Sequence, residues 1–176
     1  MLNQSVDTGQ VRSPALPGKY LTFRLAHQSY GLPVLKVREI IRSLDITPVP
    51  RMPPVVKGVI NLRGKVIPVL DLAIQFSRTP TSMTDRTCIV VTQAATASGL
   101  LQLVGIIVDA VEEVTPVNEQ DIEPLPDFGW DHGPEGILGL AKLRGAVKAL
   151  LDIDRVIAET PALVGGESHS DPARAT

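Results

Sequence analysis

The sequence predicts a mainly β fold of two five-stranded β-barrel subdomains, related by an internal repeat and joined by short helices. Aromatic residues make up only 3% of the chain, so Val, Ile and Leu must build the core, and β-branched residues favour strands. The 14 Gly and 15 Pro interrupt the chain too often for long helices. Stretches of the first half also return in the second, which indicates two similar units.

The internal repeat is clearest around two L-R-G motifs. Leu62–Gly64 matches Leu143–Gly145 at a spacing of 81 residues. Upstream, Gly31–Ile40 matches Gly105–Val114 at a spacing of 74 residues, and an insertion in a connecting loop explains the difference. Sets of about five short strands curl to avoid open edges, so two small barrels sharing an interface are expected.

Composition divides the chain into an arm, a domain and a tail. Residues 1–18 are polar, contain Pro and Gly and show no periodicity, which predicts a disordered arm. Residues 161–176 are small and polar, which predicts a disordered tail. Residues 19–160 are expected to form one domain of two intertwined barrel subdomains, about 19–87 and 88–160.

In the first half, the apolar pattern begins with a hairpin. Leu21–Leu25 alternates apolar and polar residues, which predicts a half-buried strand, and Tyr30–Val34 is the returning strand. Val34, Val37 and Ile41 are spaced three and four apart, which predicts a helical turn.

A second hairpin follows an extended connection, Thr47–Pro54, which has four prolines in eight residues. Val55–Leu62 and Lys65–Leu70 are its strands, and Gly64 permits a positive φ at the tip. Pro68 indicates an edge strand or a bulge. Asp71 is placed to cap a short helix.

The second half predicts similar elements in the same order. They are strands over Thr87–Gln93 and Leu100–Val108, a continuation at Glu112–Val114, a short helix capped by Asn118, a loop through Phe128 and Trp130, a hairpin of Gly136–Leu143 and Ala146–Leu151, and a last helix through Ala158 capped by Asp152 or Asp154.

Charge and cysteine content narrow the setting of the protein. The net charge is −2, but residues 1–87 carry +7 and residues 88–176 carry −9, a split that can orient partners. The single cysteine, Cys88, lies in an apolar run and suits a reducing compartment. The most apolar segment, Leu100–Val108, is too short to span a bilayer, and no signal-peptide pattern begins the chain, so a soluble cytoplasmic protein is expected.

Residues able to support catalysis are scattered in the sequence. His27, His132 and His169 have no metal-ligand spacing, and no glycine pattern matches a phosphate loop. Asp71 and Asp152 could suggest acid–base work, but their positions as helix caps explain them more simply. We therefore expect no enzyme, no metal and no cofactor.

Apolar side chains exceed the need of two small cores. Val37, Ile40 and Ile41 stand beside a turn in the first half, and Val111 and Val114 take the equivalent places in the second. If these two sets meet, they line either a groove for a helical partner or a plain contact between the barrels.

Three stretches are similar to the signature of CheW-type coupling proteins of bacterial chemotaxis. They are residues 30–40 (YGLPVLKVREI), 58–72 (GVINLRGKVIPVLDL) and 104–114 (VGIIVDAVEEV). The resemblance covers residues 19–160 and implies two SH3-like five-stranded barrels. It also implies a non-catalytic scaffold that links the cytoplasmic tips of chemoreceptors to the histidine kinase CheA, whose regulatory domain has the same fold. The protein would then be cytoplasmic and recruited to receptor arrays at the inner membrane.

Carried over by position, the resemblance implies a receptor-facing groove made of Val37, Glu39, Gly58, Arg63, Gly105, Val111 and Val114. The kinase-facing surface would be an end of the first barrel, of which the sequence does not fix the strands. Two alternatives are open: a coupling protein of a related array, such as one for twitching motility, or a small-barrel nucleic-acid binder. The second alternative requires a basic face with stacking aromatics, whereas the chain has six aromatics and an acidic second half.

Overall fold

A computed structural model describes residues 15–42, 45–126 and 136–160. Most of the predicted arm, the whole predicted tail and the predicted loop through Phe128 and Trp130 lie outside these residues.

The described strands form two sheets, with strands numbered along the chain. The five-stranded sheet contains, in spatial order, β3 (Val37–Ile41), β6 (Cys88–Ala95), β7 (Leu101–Val108), β5 (Lys65–Leu70) and β4 (Val56–Leu62). The six-stranded sheet contains β8 (Ala110–Val117), β1 (Gly18–Leu25), β2 (Gln28–Pro33), β11 (Ala146–Leu151), β10 (Ile137–Leu143) and β9 (Ile122–Glu123). Two short helices, α1 (Leu72–Ser77) and α2 (Ile153–Ala158), each follow a hairpin.

Each sheet takes strands from both halves of the chain. The five-stranded sheet combines β3, β4 and β5 with β6 and β7, whereas β1 and β2 join the later strands in the other sheet. The predicted division into residues 19–87 and 88–160 therefore follows the sequence repeat, but the sheets do not. The reason is that the β1–β2 hairpin pairs on its two sides with β8 and β11, both from the second half.

The strand register confirms the repeat. β5 and β7 run parallel, with Val69 opposite Gly105, and β11 and β2 run parallel, with Leu150 opposite Gly31. Val69 and Leu150 are 81 residues apart, and Gly31 and Gly105 are 74 apart, so both sequence spacings meet in one equivalent pairing. The mainly β fold of two related SH3-like units is therefore confirmed.

The sixth strand is the counterpart of a smaller feature in the other sheet. Glu123 of β9 pairs with Leu140 of β10, and at the equivalent place Thr47 forms an isolated bridge with Val59 of β4. Among the described strands, the hydrogen-bonded order of each sheet has two ends, so these units are curled sheets rather than barrels closed by hydrogen bonds.

Three apolar clusters stabilise the sheets. The largest is shared between them and includes Phe23 and Leu32 from one sheet and Val90 and Ile106 from the other. Its aromatic part is a stack in which Tyr30 lies 6.2 Å from Phe23 and 5.5 Å from Phe76, measured between ring centroids. The other two clusters belong to one sheet each and are listed here: Ile60, Ile67, Val69, Ile89, Val91 and Ile107; Ala15, Tyr20, Val117, Ala141 and Leu150.

The predicted helical turn at residues 34–41 is wrong. A single 3-10 turn covers Val34–Lys36, and Val37–Ile41 is strand β3. The register against β6 shifts between Val37 and Glu39, so Val37 lies opposite Thr92 and Ile40 opposite Val90. This bulge places two apolar residues three positions apart on one face, which reproduces the spacing of a helix.

Two other strand predictions need correction. Leu21, Thr22 and Phe23 are all buried, because β1 lies between two strands and is covered on both faces. Pro68 lies in β5, which is not an edge strand, and the register shift is in its partner β4 between Val56 and Gly58.

The predicted turns and caps are confirmed. Arg63 and Gly64 have φ angles of 51° and 84°, and Arg144 and Gly145 have 50° and 77°, as tight hairpins require. Asp71 Oδ1 accepts a hydrogen bond from Ala73 N at 3.2 Å, and Asp152 Oδ1 accepts one from Arg155 N at 3.2 Å. The predicted cap Asn118 precedes a 3-10 turn, Glu119–Asp121.

Candidate functional site

The seven residues expected at a partner surface divide into two groups. Glu39, Arg63 and Val114 are accessible, and Val37 and Val111 are half-buried. Gly58 and Gly105 are buried, and they shape the sheets rather than contact a partner.

An ion pair between Arg63 and Glu39 is the centre of the site. Glu39 is on β3 and Arg63 is at the β4–β5 turn, which are at opposite ends of the five-stranded sheet. Arg63 Nη2 nevertheless lies 3.4 Å from the Glu39 carboxylate, so the curl of the sheet brings its two edges together. The Arg63 side chain is 81% exposed, which leaves most of its N–H donors available to a partner.

The tip that carries Arg63 is fixed by its own hydrogen bond. Asn61 Oδ1 accepts a hydrogen bond from Gly64 N at 2.9 Å across the turn. A guanidinium on such a rigid turn loses little conformational entropy on binding, and its planar fork suits carboxylates and carbonyls.

The apolar residues of the site border the core shared by the two sheets. Val37 of β3 and Val111 of β8 both pack against the large shared cluster. Ile40 and Val114 lie on the same strands and are exposed, at equivalent places of the repeat. Ile41 instead packs into the cluster within the five-stranded sheet, so it does not join this surface as expected.

Gly58 is required by a close backbone approach. It has a φ of 151°, and a Cβ at this position would lie 2.2 Å from the Thr47 carbonyl oxygen. Thr47 and Val59 exchange two backbone hydrogen bonds of 2.8 and 2.9 Å beside it. Gly58 therefore holds the segment before β4 against the sheet whose edge carries Arg63.

Gly105 has a similar structural role inside the five-stranded sheet. A Cβ there would lie 2.7 Å from Ile89 Cγ2 and 3.3 Å from Val69 Cγ2. The glycine thus permits close packing between β6, β7 and β5.

A second ion pair, which the sequence reading missed, repeats the first. Arg144 Nη1 lies 3.0 Å from Glu113 Oε2, and these residues are the repeat equivalents of Arg63 and Glu39. The signal was present in the sequence, because the two L-R-G motifs and the two glutamates align at the same spacings.

A polar network inside the six-stranded sheet was also missed. Lys148, only 11% exposed in its side chain, donates a 2.8 Å hydrogen bond to Glu112 Oε2, and Ser29 Oγ donates one of 2.8 Å to Glu112 Oε1. Partial burial by itself raises the pKa of Glu112, but the hydrogen bonds from Lys148 and Ser29 and the Lys148 charge together lower it. The repeat signals this network, since Lys148 stands where the other sheet has Ile67.

The remaining chemistry of the described residues is that of a core. Cys88 is buried, and burial raises the pKa of its thiol, so it is poorly suited to act as a nucleophile. Within residues 15–42, 45–126 and 136–160, no three His, Cys, Asp or Glu side chains are grouped as metal ligands would be. Over the same residues, no helix is long and apolar enough to cross a membrane.

Two curled β units with exposed apolar and ion-paired side chains at their edges define a protein-binding module. The chain belongs to the CheW-like family, because the model of the CheW-like domain matches residues 19–160. The site residues carried over from the sequence all lie within that match.

Relatives from several bacteria agree with the family. The chain is 32% identical to the chemotaxis protein CheW of Klebsiella aerogenes over 86% of this chain and 89% of that protein. It is 33% identical to the chemotaxis protein CheW of Rhizobium meliloti over 77% of this chain and 84% of that one. The crystal structure of the scaffolding protein TtCheW from Thermoanaerobacter tengcongensis superposes with a TM-score of 0.67 at 34% identity, covering 77% of this chain and 89% of that one.

Proposed function

We propose that this chain is a non-catalytic adaptor that couples the cytoplasmic tips of methyl-accepting chemoreceptors to the histidine kinase CheA. The family match and the names of its chemotaxis relatives support the coupling role. The observation that carries the binding site is the exposed Arg63–Glu39 pair where the two edges of the five-stranded sheet meet.

The receptor-facing surface in this proposal is centred on Arg63 and Glu39. Val37, Val111 and Val114 supply apolar contact for a helical receptor segment, in the manner of a helix lying in a groove. Gly58 and Gly105 act indirectly by keeping the sheet in shape.

The kinase-facing surface is proposed at an end of the first barrel. We assign this barrel to the five-stranded sheet, which holds β3, β4 and β5 from residues 19–87. Separate surfaces for receptor and kinase would let one chain hold both, in the cytoplasm and at receptor arrays on the inner membrane.

Mixing experiments test the proposal directly. The purified chain is run by size-exclusion chromatography with a CheA-type kinase, and separately with a soluble receptor-tip fragment. We expect co-elution with each, and kinase activity that rises only when all three are present. Binding to neither would reduce the inference to the fold.

A related chemosensory array is the second candidate. The chain is 32% identical to Protein FrzA of Myxococcus xanthus over 75% of this chain and 79% of that protein. Pulldown from the native host with this chain as bait would separate the two, because the receptors and the kinase that co-purify identify the array.

A further inference from the structure

We propose that the chain has a second docking surface, made of Glu113, Arg144, Val114 and Val147, which takes a second copy of the same helical receptor-tip segment. This inference rests on the proposed function and adds to it a stoichiometry of two receptor segments per chain. It follows from a residue-by-residue match between the two edges of the molecule.

The match covers both the ion pair and the apolar side chains. Arg144 and Glu113 are 3.0 Å apart, across the ends of the six-stranded sheet, as Arg63 and Glu39 are 3.4 Å apart across the other. The arginines sit at hairpin turns with nearly the same geometry, with φ angles of 51° for Arg63 and 50° for Arg144.

Exposed apolar residues flank each pair at equivalent positions. Val66 is 69% exposed and its equivalent Val147 is 56% exposed; Ile40 is 41% exposed and its equivalent Val114 is 56% exposed. An isolated exposed valine needs no explanation, but four at matched places beside two matched ion pairs indicate surfaces of one chemistry. Because the anchoring groups are the same, the same kind of segment fits both.

The surroundings of the two surfaces differ in charge. Arg38, Arg42, Lys57 and Lys65 lie around the first, and the equivalent residues around the second are Glu112, Pro116, Leu138 and Ala146. An acidic segment is therefore attracted more strongly to the first surface and fills it first. The second surface then binds the same segment more weakly and with less dependence on salt.

Titration of the intact chain with a soluble monomeric receptor-tip fragment tests the inference, by calorimetry and by sedimentation equilibrium. The wild type is expected to bind two fragments in two steps. Arg144→Ala weakens only the second step by about tenfold or more, and Arg63→Ala weakens only the first by a similar factor. Lys142→Ala is the matched control, since it removes an exposed cation of the same hairpin that pairs with Glu123 instead.

The outcomes separate this inference from the proposed function. One fragment per chain, with Arg144→Ala equal to wild type, overturns the second surface while the first stands. No binding by any variant overturns both. Two steps that respond separately to the two arginine variants establish the bivalent adaptor.

Discussion

Lys148 reaches Glu112 in the six-stranded sheet, at 2.8 Å from Nζ to Oε2, where the repeat places Ile67 in the other sheet. One unit therefore has an all-apolar interior cluster, and its twin has a lysine whose charge is directed to an edge strand. The two units share a backbone plan but differ in how strongly each depends on a charged partner.

Removing the carboxylate should expose that dependence. Glu112→Ala leaves the Lys148 ammonium buried without its main acceptor, which is expected to lower the free energy of unfolding by about 2 kcal/mol. Adding Lys148→Ile should restore most of the loss, because the other sheet carries Ile67 at this place. Urea unfolding measures both variants. Glu113→Ala is the control and should cost less than about 1 kcal/mol, since its pair with Arg144 is exposed.

Acid should weaken the same contact. The folded state holds the pKa of Glu112 below its ordinary value of 4.5, so the stabilisation is present above pH 4.5 and is lost as pH falls through the lowered pKa. Urea midpoints of the wild type and of the Glu112→Ala, Lys148→Ile double variant, compared at pH 7 and near pH 3, measure this. The double variant should lose less stability than wild type, and equal losses would contradict the assignment.

Arg63→Ala is expected to weaken receptor-tip binding by about 1–2 kcal/mol, the cost of truncating an interface anchor. Stability should hardly change, because the Arg63–Glu39 pair is exposed. Calorimetry with the receptor-tip fragment measures the loss, and circular dichroism checks the fold. Arg86→Ala, which removes an exposed arginine in the loop before β6, should bind as wild type. Unchanged binding of Arg63→Ala would count against the site.

Gly58→Ala should act through the fold. Its methyl group would lie 2.2 Å from the Thr47 carbonyl oxygen at a φ of 151°, so a loss of about 3 kcal/mol or more is expected. Gly64→Ala is the matched control, because nothing lies within 4 Å of the added methyl, and only the conformational cost of about 1 kcal/mol remains. Thermal unfolding measures both, and equal melting temperatures would contradict the packing role of Gly58.

The two helix caps should differ in importance although the repeat makes them equivalent. Asp71 is fully buried and accepts hydrogen bonds from Ala73 N and from both Thr81 N and Thr81 Oγ1. Asp71→Ala therefore strands several buried donors and should cost about 3 kcal/mol. Asp152→Ala should cost about 1 kcal/mol, the usual value of a cap that is more accessible. Denaturant unfolding of the two variants compares them, and equal losses would sink the distinction.

Local chemistry explains which elements the sequence predicted well. The two L-R-G hairpins, the aspartate caps and the Pro-rich connection each depend on residues adjacent in the chain, whose backbone preferences are nearly independent of context. β3 was mistaken for a helical turn because a bulge next to Val37 gives its apolar residues a spacing of three.

Long-range contacts explain what the sequence left open. The repeat, the β-rich class and the importance of Arg63 follow from the order of residues along the chain. Only the tertiary structure decided that each sheet draws strands from both halves, since pairing of β2 with β11 joins residues more than a hundred positions apart. It also decided that Gly58 and Gly105 are packing positions and that the curl of each sheet brings an arginine to a glutamate on the opposite edge. Such contacts depend on sheet curvature, which the packing of the shared core sets and which no local pattern encodes.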